Sequence, residues 1–315
     1  MGNFYSSNNP EILEDTTQYT YSSKYNWILS YPQKKIIYMT PDNLSQFINK
    51  TAHVNEDKTI ISNIKKKNYI DLRSMCPDIL NDNNLNISTI NTICFILHYQ
   101  LIRNKLDIFP PSRLFIYHNI NFFKHVHNIF SFDIIFKAIS NYGVCSELSY
   151  KYNVDNYNNN NLTNILYNEA EQYKYINIYR IPNSINMLKT MLKNDMIVMI
   201  GFIVYNNFHN NDTKINLSDT NTNSIIGGTT GSIVGYIDAQ ESFIVALSYG
   251  KQIGKNGYIL IPYKYIENKD LVPELYYIDF DKTRIDSFNF NKKKKHINKT
   301  NEHVSKPYGG VFCKN

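Results

Sequence analysis

Cysteine is scarce in this chain: Cys76, Cys94, Cys145 and Cys313 stand far apart, with no Cys-x-x-Cys step and no paired histidine beside them. That spacing excludes a disulfide framework and a zinc ligand set, and it predicts buried free thiols. No window approaches the ~18 consecutive apolar residues of a membrane span, and the N-terminus lacks the charged-then-apolar pattern of a secretory signal, so the expected location is the cytoplasm. Tryptophan occurs once, as Trp27, against 26 tyrosines. Basic excess is absent from most of the chain. Nine Lys/Arg and three Asp/Glu lie between Asp281 and Asn315, so that segment carries the whole net charge of +6. The preceding residues therefore have no compositional nucleic-acid face, and any attraction to an anionic partner belongs near Lys292, Lys293, Lys294 and Lys295.

What is present suffices for a core, since 43% of the 315 residues are apolar. Ile233 to Tyr236, Phe243 to Leu247 and Tyr258 to Ile261 are short runs rich in β-branched and aromatic residues, separated by turn-formers, which predicts an antiparallel three-strand meander. Gly250, Gly254 and Gly257 suit a long second connection that needs positive backbone dihedrals. Upstream, Met196 to Phe202 reads as a buried strand, and Ser184 to Lys193 as a short helix before it. Helices are also predicted near Pro41 to Lys50, after Pro110 and from Phe132 to Ile139, the last closed by Gly143. Apolar residues Ile90, Ile93, Cys94, Leu97 and Leu101 fall at helical spacing behind Ser88, which predicts a buried helix with Ser88 as its N-cap. Asn153 to Asn164 reads as an Asn-rich surface loop.

Several of these stretches resemble papain-like cysteine peptidases, particularly the short forms of large DNA viruses. That family shows Gly-Gly-His, Asn-Ser-Trp-Gly and Trp-Gly-x-x-Gly-Tyr in its β-rich half. Here the frame reads Gly227-Gly228-Thr229, Leu247-Ser248-Tyr249-Gly250 and Ile253-Gly254-Lys255-Asn256-Gly257-Tyr258. In the helical half, Ser112 to Tyr117 matches a Ser-Arg-Leu-Phe-x-Tyr pattern, and Tyr142 to Glu147 a Tyr-Gly-Val-Cys-x-Glu pattern. Gly201 to Phe208 meets Gly-Phe-x-Val-Tyr-x-x-Phe. Aligning Leu85, Thr89 and Asn91 with the nucleophile motif sets Ser88 on the cysteine, Asp82 on the oxyanion glutamine, and Asn83 and Asn86 on glycines. The resemblance implies an α+β, papain-like fold with a helical half (residues 66–180) and a β-barrel-like half (181–280). An N-terminal extension (1–65) would pack along the surface with Trp27 as its anchor, and a basic flexible tail (281–315) would follow.

The resemblance also assigns Thr229 to the general-base histidine and Leu247 to the asparagine that orients it. Threonine has no basic nitrogen to accept a proton at neutral pH, leucine cannot orient a base, and a carboxylate at Asp82 would repel a developing oxyanion. None of the eight histidines falls at a motif position, and Cys94 lies six residues beyond Ser88, on another face of the same helix. The reading is a catalytically inactive pseudo-peptidase that binds a protein or peptide, in the cytoplasm or a virion, with no cofactor and no metal. An active hydrolase using Ser88 as nucleophile and a purely structural scaffold are the alternatives. Met1-Gly2-Asn3-Phe4-Tyr5-Ser6 fits an N-myristoylation signal at Gly2, which together with Lys292 to Lys295 would give a membrane contact.

Overall fold

The computed structural model describes residues 25–30, 36–52, 68–83, 85–120, 130–216 and 224–292. Gly2, Lys293, Lys294, Lys295 and Cys313 lie outside the described residues, as do His53, His125, His127, His296 and His303. Strands β1 (Ile37–Tyr38), β2 (Tyr69–Asp71), β3 (Ile176–Arg180), β4 (Val198–Tyr205), β5 (Ile225–Ile237), β6 (Ser242–Leu247), β7 (Tyr258–Pro262) and β8 (Glu274–Phe280) form one mixed sheet. Helices are α1 (Pro41–Ala52), α2 (Ser88–Arg103), α3 (Arg113–Ile120), α4 (Phe132–Tyr142), α5 (Val154–Asn158), α6 (Asn164–Ala170), α7 (Ile185–Lys193) and α8 (Tyr263–Glu267). The architecture is α+β. Among the described residues no helix is long and apolar enough to cross a membrane.

The sheet runs in the order β1-β3-β8-β4-β5-β6-β7, with β2 paired to the far end of β5. The expected meander is β5, β6 and β7, antiparallel throughout. Its first reversal turns on Glu241 in the left-handed conformation, and its second contains Gly250, Gly254 and Gly257, all at positive φ. β5 begins at Ile225, well before the apolar run from Ile233, because its glycine- and threonine-rich first half lies along β4. The sheet also reaches beyond residues 181–280. β3 pairs with the outer side of β8, and β1 pairs with β3, so segments assigned to the helical half and the N-terminal extension cover a strand edge that would otherwise be open.

α2 is buried around nearly its whole circumference, its polar residues Ser88, Thr89, Asn91, Thr92 and Gln100 included, and packs against β5 and β8. Its N-cap is Ile87 with no side-chain cap bond, so Ser88 is the first helical residue and not the cap. α4 ends at Gly143 with φ 75°, and α7 is capped by Ser184, which accepts from the Met187 N–H. The Asn153–Asn164 loop contains α5, whose first turn is closed by the Asn153 side chain accepting from the Asn156 N–H.

Two terminal expectations need correction. Residues 25–27 are buried and not laid on the surface, while Leu29 beyond them is exposed: Trp27 is 2% exposed, and its indole lies against Gly201 and Gly228, where a Cβ would collide with the ring. The segment assigned to a flexible tail from 281 begins with a helix at 282–292, started by Asp281 Oδ1 accepting from the Arg284 N–H and anchored by buried Ile285. A single well-placed apolar residue and the Tyr175 ring supply the docking surface that lysine and asparagine content concealed.

Candidate functional site

The site lies where α2 begins, against β5 and the end of β6. Asn83 and Asn86, in the loop before α2, take positive φ of 46° and 55°. Asparagine tolerates the left-handed region better than other side chains, so the loop keeps its path at positions that the resemblance assigns to glycine. Ser88 is 1% exposed and Thr229, on β5, is also 1% exposed. Between them stands the phenol of Tyr249, two residues past β6. Its oxygen shares a 2.5 Å hydrogen bond with Thr229 Oγ1.

Burial raises the Tyr249 pKa, and hydrogen-bonding influence from Ser88 and Thr229 pulls part of it back. Ser88 is therefore close to the phenol, although its Oγ makes no bond of normal hydrogen-bond geometry. Asp82, 7% exposed, is near enough for its charge to add to the upward push. Leu247 is buried and pairs with Gly231, one pleat repeat along β5 from Thr229. Three of the four expected positions thus meet at Tyr249, with Leu247 on the adjoining strand.

Below this corner, hydroxyls and amides join α2 to the sheet. Thr92 Oγ1 lies 2.9 Å from Thr230 Oγ1 and 3.0 Å from Ser248 Oγ, and Asn91 Nδ2 donates to Ser248 O at 3.4 Å. On the other side, residues 25–30 run between the two halves. Asn26 Nδ2 donates to Asn86 O at 2.7 Å, and the Trp27 N–H donates to Gly228 O at 3.1 Å. The Ile28 N–H donates to Phe130 O, and Ser30 donates through both N–H and Oγ to Glu274 Oε2. Tyr25 packs edge-on against Tyr249 with ring centroids 6.0 Å apart. The corner is filled by the chain's own aromatic side chains.

The two helical-half motifs meet as a clamp. Arg113 forms a buried two-pronged ion pair with Glu147, donates to Asn81 O at 2.9 Å, and lies 3.6 Å above the Tyr152 ring. Tyr152 in turn donates its hydroxyl to Asp82 O. This holds the loop from Asn81 to Asp82 from outside. Arg113 and Glu147 were in the recognised motifs, yet their pairing is invisible across 34 positions of sequence. Tyr249 was also in view, as tyrosine in a Trp position, but nothing local told where its hydroxyl would go.

The cysteines lie away from this corner. Cys94 faces the Arg113–Glu147 side of α2, and burial pushes its thiol pKa up, which opposes thiolate formation. Burial likewise holds Cys145 up at about 12, and half-buried Cys76 up at about 12. His118 bonds Asn156 O, His98 lies beside Pro110 and Cys94, and His209 sits in the turn closed by Asp212. Among the described residues no three His, Cys, Asp or Glu side chains gather as a metal ion would require.

A central helix lodged beside a mixed sheet, with its N-terminus facing a long strand and the end of the next, is the arrangement of the papain-like fold. The structure superposes with TM-score 0.69 on xylellain, a cysteine protease from Xylella fastidiosa, at 22% identity over 83% of this chain and 97% of that one. The digestive procathepsin L2 proteinase of the Tenebrio molitor larval midgut superposes with TM-score 0.62 at 16% identity, covering 82% and 79% of the two chains. No protein-family model matches the sequence. In sequence, the chain is similar to an uncharacterized peptidase C1-like protein of Acanthamoeba polyphaga mimivirus, 28% identical over 282 residues that cover 82% of this chain and 88% of the relative.

Proposed function

We propose that this protein is a non-catalytic papain-like protein that acts by binding a protein or peptide partner through its outer surface. The observation that carries the proposal is the Tyr249 phenol bonded to Thr229 Oγ1 beside Ser88. Peptide hydrolysis needs a base next to the nucleophile, space for a scissile carbonyl and donors for its oxygen. Here a threonine stands opposite the serine, a neutral phenol fills the space, and the charged side chain whose influence reaches it is the Asp82 carboxylate. Ser88 at 1% exposure is out of a substrate's reach, which argues against the serine-hydrolase alternative. Removal of nucleophile and base together lowers turnover by roughly a millionfold in enzymes of this logic.

The filled corner also favours the surface over the cleft as the place of binding. Similarity to a mimivirus protein supports a viral role, as a virion component or in the infected cell. The test is incubation of the purified protein with a diverse peptide library and with serine- and cysteine-directed covalent probes. The expected result is no cleavage and no labelling at Ser88. Hydrolysis that disappears in Ser88→Ala would overturn the proposal.

A further inference from the structure

One concave feature of the described surface is lined by basic and aromatic side chains together. Helix 282–292 and the turn at Glu171–Lys174 enclose an open groove of about 770 Å3, with Tyr175, Arg284, Phe288 and Lys292 among its lining residues. The guanidinium of Arg284 lies 4.8 Å from the Tyr175 ring centre, and Lys174 Nζ lies 5.6 Å from the same ring. Lys292 Nζ is 5.9 Å from the Phe288 ring, and the two rings stand 6.2 Å apart. Glu171 is the acid of this groove and is engaged by Lys174 at 3.4 Å. Among the described residues Arg284 and Lys292 have no carboxylate partner. Two exposed cations thus lie over aromatic faces without a carboxylate partner among the described residues.

We propose that this groove binds an acidic peptide segment of a partner protein. The inference rests on the non-catalytic surface-binding reading and names its site and the chemistry of its partner. Carboxylates of an extended segment would pair with Arg284 and Lys292, while its methylene groups cover Tyr175 and Phe288. Thr283, Ser287 and Asn291 supply polar groups for the peptide backbone. Concavity favours a chain over a bilayer, because a membrane surface cannot enter between the helix and the turn.

Fluorescence anisotropy of the full-length protein with a labelled Glu-Gly repeat peptide tests the idea, with a Lys-Gly peptide and phosphatidylserine vesicles as alternatives. Saturable, salt-sensitive binding of the acidic peptide is expected, weakened about tenfold or more by Arg284→Glu with Lys292→Glu and tightened by Glu171→Gln. Lys151→Glu, an exposed charge outside the groove, should leave binding unchanged. Should the double reversal unfold the protein, Arg284→Gln with Lys292→Gln gives the same comparison at lower charge. Affinity unaffected by a folded double variant, equal binding of the Lys-Gly peptide, or capture by vesicles without peptide binding would each overturn the groove assignment. Absence of binding together with absence of hydrolysis removes the groove alone, whereas Ser88-dependent hydrolysis removes the reading beneath it.

Discussion

The corner at the start of α2 and the clamp outside it respond differently to the same set of sequence changes. At the corner, Ser88, Thr229 and Asp82 surround a buried tyrosine, and Ser88 Oγ, Thr89 Oγ1 and Asn91 Oδ1 are buried without hydrogen-bond partners among the described residues. At the clamp, Arg113 has its nitrogens on Glu147 and Asn81 O and its flat face on Tyr152. Each buried polar atom left without a partner costs about 1–3 kcal/mol, a burden that the corner carries and the clamp does not. The clamp, by contrast, is built as a support and still does that work.

Five measurements sharpen or break this contrast. The largest effect is expected from Trp27→Ala, which empties the space over Gly201 and Gly228 and should cost about 4 kcal/mol in chemical denaturation. A loss near zero would mean that residues 25–30 are a dispensable strap. Arg113→Ala strands Glu147 and frees the Asn81 carbonyl, with an expected loss of about 3 kcal/mol. If it proves milder than any change at the corner, the clamp is not the stronger support. Tyr249→Phe leaves Thr229 Oγ1 buried without its partner and should cost about 1–2 kcal/mol. Replacing Ser88, Thr229, Leu247 and Asp82 by Cys, His, Asn and Gln should still give background peptidase activity while Tyr249 remains, since the phenol holds the space between the first two. Cleavage by that quadruple variant would show that the phenol yields.

The smallest effect concerns pH. The Arg73 hydrogen bond, 2.6 Å at its shortest, lowers the Asp71 pKa against a smaller desolvation push. A depressed folded-state pKa contributes stability above the unfolded value of about 3.9, and that contribution is lost as pH falls through the folded pKa. Both side chains are about a third or more exposed, so Asp71→Asn should cost about 0.5 kcal/mol at neutral pH and nothing in strong acid. An equal loss at both pH values would assign the effect to packing.

Periodicity in the sequence made the elements legible where each is judged by its neighbours. α2, α4, α7, β4 and the meander follow from apolar spacing, and the loop glycines from the φ values they take. The resemblance placed Ser88 and Thr229 on facing elements before any coordinates. What escaped were outcomes set by partners distant in the chain. Ser88 reads as an N-cap in isolation, but its helix begins one residue earlier than a cap allows. Residues 282–292 read as tail because their composition is polar, while one buried isoleucine and a ring 110 residues upstream hold them.

By itself the sequence determined the α+β class, the order of elements, and the want of a histidine at the site, since a side chain that is not encoded cannot be folded into place. Tertiary structure alone decided that Tyr249 enters the gap, that Trp27 is core, that Arg113 meets Glu147, and that Arg284 and Lys292 face a groove. Each of those depends on which distant surfaces are brought within a few ångströms, and side-chain contacts at that range obey the packing of the whole chain, on which local spacing is silent.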